Sequence, residues 1–575
     1  MLRWAMRGAL IFVLFGIEIG NTSDLHDVLI RGGTLYDGSG SEPFIGDIAV
    51  DGDLITAIGK LSMQQGRIEI DAKGLAVAPG LINMLSQASQ AILKDPRALS
   101  DVKQGVTLEI FGEGTSMGPI KAARRSHPEK AGKESTPWTT LGEALEYLEQ
   151  HGIGVNVASF VGAATLRIHE VGYEAREATP AELTRMQRLA REAMEQGALG
   201  LSSALIYTPG IYATTDELTA LARAVSGYGG IYISHLRSEG DGLLEALDEL
   251  LQIAREANIP AEIYHLKAAG AQNWDKLDEL ILRVDAARKE GLRITADMYP
   301  YTAASTGLDA AMPPWVRAGG YARWRARLQR PNIRDRVRRE MQSPTSGWEN
   351  FYVEAGGAEE VIVVGFRNSR LKPLSGMTLA QVAAKRGTSP EETAMDLVIE
   401  DGSRVMCIYP LMSEDNLRRK IRLSWMSFCS DASALAPDSA SRDTHIHPRA
   451  YGSFARVLAY YVREQKLLTL QDAIRRMSSL PAQNLNLRHR GALKAGYHAD
   501  IIIFDPDRIQ DHATYEKPQQ LATGMVNVFV NGVPVLRNGE HTGKLPGRVV
   551  RGPGWTGWLE NQTNAAMSRK PALPQ

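Results

Sequence analysis

The sequence predicts an α/β protein in which a parallel (β/α)8 barrel, of the TIM-barrel type, carries a smaller β-sheet domain. Three observations lead to this prediction: the chain has 575 residues, its middle alternates strands with helices, and both of its ends are rich in strands and turns. A barrel of roughly 250–400 residues with a companion domain accounts for this length. A doubly wound open sheet is the alternative, but no GxGxxG motif follows an early strand.

The alternation is clearest in the middle of the chain. A predicted strand at 231–234 precedes a helical stretch at 242–257, and a strand at 261–264 precedes a helix near 274–289. Another strand follows at 294–297. Strands and helices that alternate every 30 residues or so are typical of βα units with a parallel sheet.

The two ends of the chain carry short apolar runs separated by turn dipeptides, the pattern of β-strands and hairpins. The predicted strands are 28–30, 48–50, 54–58, 499–504 and 526–530, and the turns are Gly32-Gly33, Asp37-Gly38, Asp51-Gly52 and Asn531-Gly532. We expect both ends to join into one small sheet domain, with the barrel inserted between them.

These patterns divide the chain into five segments, of which the second and the fourth form one domain. The predicted parts are a signal peptide at 1–22, a β-domain at 27–78 and 491–548, a barrel at 79–490 with an Arg-rich insertion or lid near 319–376, and a polar tail at 549–575.

The N-terminus has the layout of a secretory signal. Arg3 and Arg7 precede an apolar run from Ala9 to Ile17, which is too short to span a bilayer. Glu18 and Ile19 stand where a cleavage site prefers small residues, so a leader that is not cleaved, or a mis-assigned start, is the alternative. We expect a periplasmic or secreted protein, or otherwise a cytoplasmic one.

The charge and cysteine content exclude several classes of function. The chain has 65 basic and 66 acidic residues and a formal net charge of −1, so no overall field favours nucleic acid or anionic lipid. No later segment is apolar enough to span a membrane. Two isolated cysteines, Cys407 and Cys429, cannot form a disulfide framework. No Walker motif is present.

Four ligand-type side chains follow apolar runs in the predicted barrel: Glu113, His235, His265 and Asp431. The C-terminal ends of barrel strands meet at one mouth, so these side chains are expected to converge. Imidazoles and carboxylates suit zinc or a similar ion. Each residue could instead be a hydrogen-bonded structural residue or a helix cap. The spacing alone leaves both readings open.

Nine stretches, in order along most of the chain, resemble the D-aminoacylase, or N-acyl-D-amino-acid deacylase, family of the amidohydrolase superfamily. They are Val77–Ile82, Gln104–Thr107, Phe111–Gly114, Gly200–Ser203 with Tyr207–Pro209, His235–Asp241, His265–Lys267, Asp297–Tyr301, Ser430-Asp431 and His447–Gly452. The resemblance implies a (β/α)8 barrel, a small β-sandwich from both chain ends, and zinc-dependent hydrolysis of an acyl amide.

The resemblance also implies roles for single residues. His235 and His265 match two metal-binding histidines, and Glu113 stands where many relatives carry a cysteine ligand. Asp431 matches the catalytic aspartate that activates the attacking water and passes its proton to the leaving nitrogen. Two further residues match positions that bind the free carboxylate of the substrate: Lys267 and Tyr299.

The chain departs from the family pattern at the first barrel strand. The superfamily has Asp-x-His-x-His there, whereas this chain has Asn83, Leu85 and Gln87 at the three positions. Ala163 also replaces a histidine common in relatives. The pair His445 and His447 precedes a substrate-loop motif, so it is not predicted to bind metal.

The predicted function is zinc-dependent cleavage of linear amides, with one ion held by Glu113, His235 and His265. The expected substrates are N-acyl amino acids, possibly D-configured, or short peptides with a free carboxylate. A cyclic-amide hydrolase of the dihydroorotase or hydantoinase type is a second reading, which the missing HxH disfavours. A secreted, inactive binding module is the third. The sequence does not indicate an oligomeric state.

Overall fold

The computed structural model describes residues 25–121, 136–344, 347–437 and 445–558. The predicted signal peptide, residues 1–22, lies outside these ranges, as does the tail from residue 559 onward. Within the described ranges, no helix combines the length and apolar character needed to cross a membrane.

Strands from both ends of the chain form one mixed sheet, which has nine strands in the described residues. They are Leu25–Leu35, Phe44–Asp51, Leu54–Gly59, Gln65–Asp71, Ala76–Pro79, Ile501–Phe504, Met525–Val530, Val533–Arg537 and Glu540–His541. The two ends meet where Ala76–Pro79 pairs antiparallel with Ile501–Phe504. The predicted β-domain from both chain ends is therefore confirmed, with its strands connected in a single sheet instead of two separate ones.

One of the predicted turns is wrong. Gly32 and Gly33 lie inside the strand Leu25–Leu35, where the pairing with the next strand shifts register between Ile30 and Gly33. Such a bulge bends a strand without ending it, and glycine tolerates the backbone angles that it needs. The other predicted turns lie between strands. Asn531 and Gly532, with φ of 49° and 78°, form the predicted hairpin turn between two antiparallel strands.

Eight parallel strands form the barrel, and their C-terminal ends carry the site described below. In chain order they are Leu81–Asn83, Val106–Phe111, Asn156–Ser159 (continued by Val161–Gly162), Gly200–Ala204, Ile231–His235, Ala261–Ile263, Ile294–Met298 and Met426–Phe428. The first three form one sheet and the others form a second, in which Val161–Gly162 is the edge strand next to Gly200–Ala204. Backbone hydrogen bonds join the two sheets along both edges, from Leu199 to Ser159 and from Asp431 to Leu85. The predicted barrel is confirmed.

Helices cover the outside of the barrel. They are Leu99–Val102, Leu141–His151, Ala163–Glu170, Pro180–Glu195, Thr215–Ser226, Leu243–Glu256, Lys276–Lys289, Glu414–Ile421, Arg449–Arg456, Leu470–Met477 and Ser479–Asn484, with a π-helix at Val457–Glu464. The helix Leu243–Glu256 is representative, because Leu243, Leu247, Leu250 and Ala254 recur every three or four residues and are all buried. This spacing turns one apolar face of the helix towards the strands.

A separate unit lies between the seventh and eighth barrel strands. Its antiparallel sheet comprises Ala303–Gly307, Ile362–Gly365 and Met406–Pro410. Its helices are Pro314–Arg317, Tyr321–Leu328, Pro331–Met341, Phe351–Glu354, Leu379–Arg386 and Pro390–Asp401. The weakly periodic stretch near 319–376 therefore contains short helices, and its Arg334 forms ion pairs with Glu392 and Asp396. Cys407 in this unit and Cys429 near the barrel mouth are buried free thiols.

Candidate active site

Four predicted site residues lie at the C-terminal ends of barrel strands. His235 is the last residue of the fifth strand, and Glu113, His265 and Asp431 follow the second, sixth and eighth strands within three residues. The parallel barrel therefore brings these side chains, which are up to 318 positions apart in sequence (431 − 113), to one mouth.

Two of these residues, His265 and Asp431, have unusual backbone angles. His265 has φ of 32° and Asp431 has φ of 45°, in the left-handed region that residues with a side chain rarely adopt. Such strain persists only where the surrounding structure enforces it, and it is common at functional sites. Here the His265 N–H donates to Asp297 Oδ1 at 2.8 Å, and the Asp431 N–H donates to the carbonyl of Leu85 at 2.9 Å.

Glu113, His235 and His265 form a compact triangle of donor atoms. His235 Nδ1 lies 3.0 Å from His265 Nε2, and Glu113 Oε1 lies 3.2 Å and 3.1 Å from these two nitrogens. Ligands of a tetrahedral zinc ion, with bonds of about 2.0–2.1 Å, are about 3.3 Å apart. The donor set and its spacing therefore fit one zinc-type ion, which these three residues would hold.

The charges in this triangle depend on one another. Burial alone would raise the pKa of Glu113, but hydrogen bonds with His235 and His265 hold it well below its usual range. Burial alone would lower the pKa of His265, but Glu239 and Glu113 raise it to about 9. A metal ion must displace such protons, so binding to this site releases them.

Asp431 lies beside the triangle and does not belong to it. Its Oδ2 forms an ion pair with Arg449 Nη1 at 2.8 Å. Gln87 connects it to the triangle, because Gln87 Nε2 lies 2.6 Å from Glu113 Oε2 and 3.2 Å from Asp431 Oδ1. The two carboxylate oxygens of Glu113 thus have different partners: Oε1 faces the histidines and Oε2 faces Gln87. Asp431 is not one of the three donors, so it is available to act as a base.

The residues at the usual Asp-x-His-x-His positions of the first strand have structural partners. The Asn83 amide donates to Glu109 Oε2 at 2.9 Å and to Ser430 Oγ at 2.8 Å. Leu85 is fully buried, and its carbonyl accepts the Asp431 N–H. These contacts hold the backbone at the end of the eighth strand, next to Asp431.

The two predicted carboxylate-binding residues differ in their availability. Lys267 Nζ is buried and already lies 2.6 Å from Glu239 Oε1 and 2.7 Å from His265 Nδ1. The hydroxyl of Tyr299 is buried and has no hydrogen-bond partner among the described residues. Burial also raises the pKa of Tyr299 well above its usual value, so the phenol stays protonated and can donate.

Arg449 is a site residue that the sequence reasoning missed. Its guanidinium pairs with Asp431 and lies 4.5 Å from the ring centroid of Tyr299. His447 orients it, since His447 Nδ1 accepts the Arg449 N–H at 3.0 Å while Nε2 contacts the carbonyl of Ala303 at 3.0 Å. The sequence marked the motif His447–Gly452, but an arginine at the start of a helix does not by itself predict a buried ion pair. His447 lies outside the triangle.

Glu239 is a second residue that the sequence reasoning missed. It is 2% exposed and contacts Lys267 and both histidines of the triangle on the side away from Glu113. Burial alone would raise the pKa of Glu239, but the charges of His235 and Lys267 lower it well below its usual value. Its position four residues after His235 could have drawn attention to it.

The barrel and its donor triangle define a metal-dependent amidohydrolase. A profile of the Amidohydrolase family matches residues 431–536. The chain belongs to the D-aminoacylase, or N-acyl-D-amino-acid deacylase, family. A D-aminoacylase of Alcaligenes xylosoxydans xylosoxydans is 32% identical over 527 residues, which cover 91% of this chain and 97% of the relative. The predicted class of enzyme, a metal-dependent hydrolase of linear amides, is thereby confirmed.

Solved structures agree with this assignment. An N-acyl-D-glutamate deacylase from Bordetella bronchiseptica, in complex with zinc and a phosphonate mimic of the tetrahedral intermediate, has a TM-score of 0.77 and is 29% identical; the match covers 92% of this chain and all of that one. A D-aminoacylase with a binuclear metal centre, activated by one metal and attenuated by the second, has a TM-score of 0.76 at 30% identity over the same shares of the two chains.

Proposed function

We propose that the protein is a zinc deacylase that holds one ion at Glu113, His235 and His265 and cleaves N-acyl-D-amino acids with a free carboxylate. The observation that carries this proposal is the donor triangle, with edges of 3.0–3.2 Å, beside an aspartate that pairs with Arg449 and is not needed to complete the triangle. The D configuration comes from the relatives, each of which acts on a D-amino-acid derivative by its name.

Gln87 supports the count of one ion. Its amide nitrogen spans the gap between Glu113 Oε2 and Asp431 Oδ1, at 2.6 Å and 3.2 Å. A neutral amide that donates to both carboxylates occupies space that a second cation would need. Leu85 has no ligand atom in its side chain and is fully buried, and its carbonyl accepts the Asp431 N–H.

An ion bound at the triangle would have two effects: it would lower the pKa of water and polarise an amide carbonyl. Asp431 takes a proton from the attacking water as the water oxygen bonds to the amide carbon. The same carboxyl then gives that proton to the nitrogen as the carbon–nitrogen bond breaks, which releases a carboxylic acid and an amine. The ion pair with Arg449 and the contact with Gln87 orient Asp431 for both transfers.

The side chains beside Asp431 suit the free carboxylate of the substrate. The Tyr299 hydroxyl donates, and the Arg449 guanidinium, whose Nε has no hydrogen-bond partner in the described part of the chain, adds positive charge. Lys267 adds a third polar group near Tyr299. Its Nζ lies 5.8 Å from the Tyr299 ring centroid and remains paired with Glu239. A charge-assisted contact of this kind holds the scissile amide in a fixed place relative to Asp431.

Zinc content and a substrate screen test the proposal together. We expect about one zinc per chain, even in excess zinc, because three ligands and one open position complete a tetrahedral site. We also expect hydrolysis of N-acetyl-D-amino acids in preference to their L-enantiomers and to dihydroorotate. His265→Ala should empty the site. Two ions per chain would contradict the single-ion site, and zinc-loaded protein that cleaves no amide would favour an inactive binding module.

The location of the protein is a separate part of the proposal. The basic start and apolar run of residues 1–22 support export to the periplasm or the medium. We expect the mature chain to begin near Asn21, which N-terminal sequencing of protein from the native cell can check. An intact Met1 on that protein would contradict export by cleavage.

A further inference from the structure

The residue before Asp431 is held by a buried side chain from the far end of the barrel sequence. Asp431 has φ of 45°, a conformation that persists only where neighbouring contacts enforce it. Ser430, which precedes it, contacts Asn83 across 347 positions of sequence. Asn83 is the last residue of the first barrel strand, and both it and Ser430 are buried. Contacts between Asn83 and Ser430 therefore act on the backbone that carries the proposed base.

The amide of Asn83 contacts Ser430 at two atoms. Asn83 Oδ1 accepts the Ser430 N–H at 2.9 Å, and Asn83 Nδ2 donates to Ser430 Oγ at 2.8 Å. The same nitrogen donates to Glu109 Oε2 at 2.9 Å, so both N–H groups and the oxygen of the amide have partners. An amide rotated by 180° would place its NH₂ group against the Ser430 N–H, where two donors would meet. The orientation of Asn83 is therefore fixed.

The Asn83 side chain complements the backbone contact of Asp431. The Asp431 N–H donates to the carbonyl of Leu85 at 2.9 Å, whereas the preceding N–H, that of Ser430, donates to the Asn83 side chain. A buried N–H that loses its acceptor costs free energy comparable to a lost hydrogen bond. Without the amide of Asn83, a shift of the segment that leads into Asp431 would relieve this cost.

We propose that Asn83 is a positioning residue for the reaction, whose amide fixes Ser430 and thereby the orientation of the Asp431 carboxylate. This inference rests on the proposed role of Asp431 as the base and adds to it a residue outside the donor triangle. A displacement of a catalytic group by about 1 Å can lower the rate about 10²-fold, so contacts of this kind are expected to affect kcat.

The first test is Asn83→Leu in the full-length, zinc-loaded protein. Leucine has a similar shape but makes none of the three hydrogen bonds of the amide. On an N-acetyl-D-amino acid, kcat should fall about 10–100-fold, and KM should change less than kcat. Zinc content should stay that of wild type, because Asn83 is not one of the three donors.

Asn156→Leu is the matched control. Asn156 is also fully buried on a barrel strand, but its side chain contacts Asp500 and Asn531 and none of the site residues. The folded control should be less stable than wild type and should keep the wild-type kcat. A fall in kcat for Asn83→Leu alone therefore reports on the contacts at Ser430.

A second test asks whether Asn83 acts through Asp431. In the Asp431→Asn background the base is already lost, so Asn83→Leu should change the remaining kcat by less than about twofold, whereas independent effects would multiply. Loss of a general base typically leaves about 10⁻² to 10⁻⁴ of the rate, which prolonged incubation can measure. A merely structural role of Asn83 would slow both backgrounds alike.

Ser430→Ala gives a milder variant in case Asn83→Leu does not fold. It removes the contact between Asn83 Nδ2 and Ser430 Oγ and leaves the backbone N–H in place. Its kcat should also fall while zinc is retained, and this fall should disappear in the Asp431→Asn background.

The outcomes separate this inference from the proposed function. Wild-type kcat in folded Asn83→Leu, or in Ser430→Ala if Asn83→Leu does not fold, overturns the role of Asn83 and leaves the zinc deacylase standing. An equal fall with and without the Asp431 carboxylate also overturns it. Asp431→Asn that is as fast as wild type overturns the role of the base and the inference together.

Discussion

Single side chains at the site are joined in pairs of opposite charge. Glu113 faces His235 and His265, Glu239 holds Lys267, and Asp431 holds Arg449. A buried charge that loses its partner is far more costly than an exposed one. Substitutions that keep the shape and remove only the charge are therefore the most informative at this site.

Asp431→Asn separates catalysis from metal binding. The variant keeps the side-chain shape but cannot take a proton from water, and loss of a general base typically lowers kcat about 10²- to 10⁴-fold. Zinc content should stay that of wild type, since Asp431 is not part of the triangle. Steady-state kinetics on an N-acetyl-D-amino acid, with elemental analysis of the same sample, measure both. An equally fast variant with zinc retained would rule out Asp431 as the base.

At the scale of elements, two glycines allow the loop after the second barrel strand to present Glu113. Gly112 has φ of 109° and Gly114 has φ of 61°, so both residues that flank Glu113 have a positive φ, which glycine adopts readily. A Cβ on Gly114 would lie 2.6 Å from Ala204 Cβ, at the end of the fourth strand. The close approach of these two strand ends therefore depends on glycine.

Gly114→Ala should destabilise the protein and weaken its zinc site. The added methyl group must push against the fourth strand, and overpacking of this kind costs about 1–3 kcal/mol. Gly172→Ala is the control, because Gly172 has φ of 84° but nothing within 4 Å of its would-be Cβ. Denaturant unfolding and zinc titration of both variants measure the difference. A Gly114→Ala protein no less stable than the control would contradict the steric argument.

At the scale of the whole molecule, a buried polar network joins the barrel to the β-domain. Asp500, next to the strand Ile501–Phe504, forms an ion pair with Arg490 and accepts the Asn531 N–H at 2.8 Å. The amide of Asn156, on the third barrel strand, donates to the same carboxylate at 3.1 Å. One carboxylate therefore links residues from the barrel and from the C-terminal end of the chain.

Asp500→Asn should destabilise the fold without changing the zinc ligands. Arg490 would remain buried beside a neutral amide, and removing one partner of a buried ion pair costs about 3–5 kcal/mol. The midpoint of thermal unfolding should fall, while the folded variant binds zinc with wild-type affinity. Asp507→Asn, at an exposed position, should leave the midpoint unchanged. Equal midpoints for the two variants would show that the network adds no stability.

Much of the architecture follows from local patterns along the chain. Runs of apolar residues ended by Asp-Gly or Asn-Gly predicted the strands and hairpins of the β-domain, because backbone preferences at a turn depend on neighbouring residues. The alternation around 231–297 predicted the barrel. Gly32-Gly33 was misjudged, because a bulge and a turn use the same residues and differ only in whether a partner strand continues alongside.

The sequence also pointed to the three proposed ligands, since His235, His265 and Glu113 each follow an apolar run and lie in stretches that resemble the family. Only the tertiary structure decided how the charges around them pair. Glu239 meets Lys267 and Glu349, and Asp431 meets Arg449 and Gln87, across separations of 18 to 344 positions. Such pairings depend on which strand ends and loops the closed barrel brings together, and that information is absent from any local stretch of sequence.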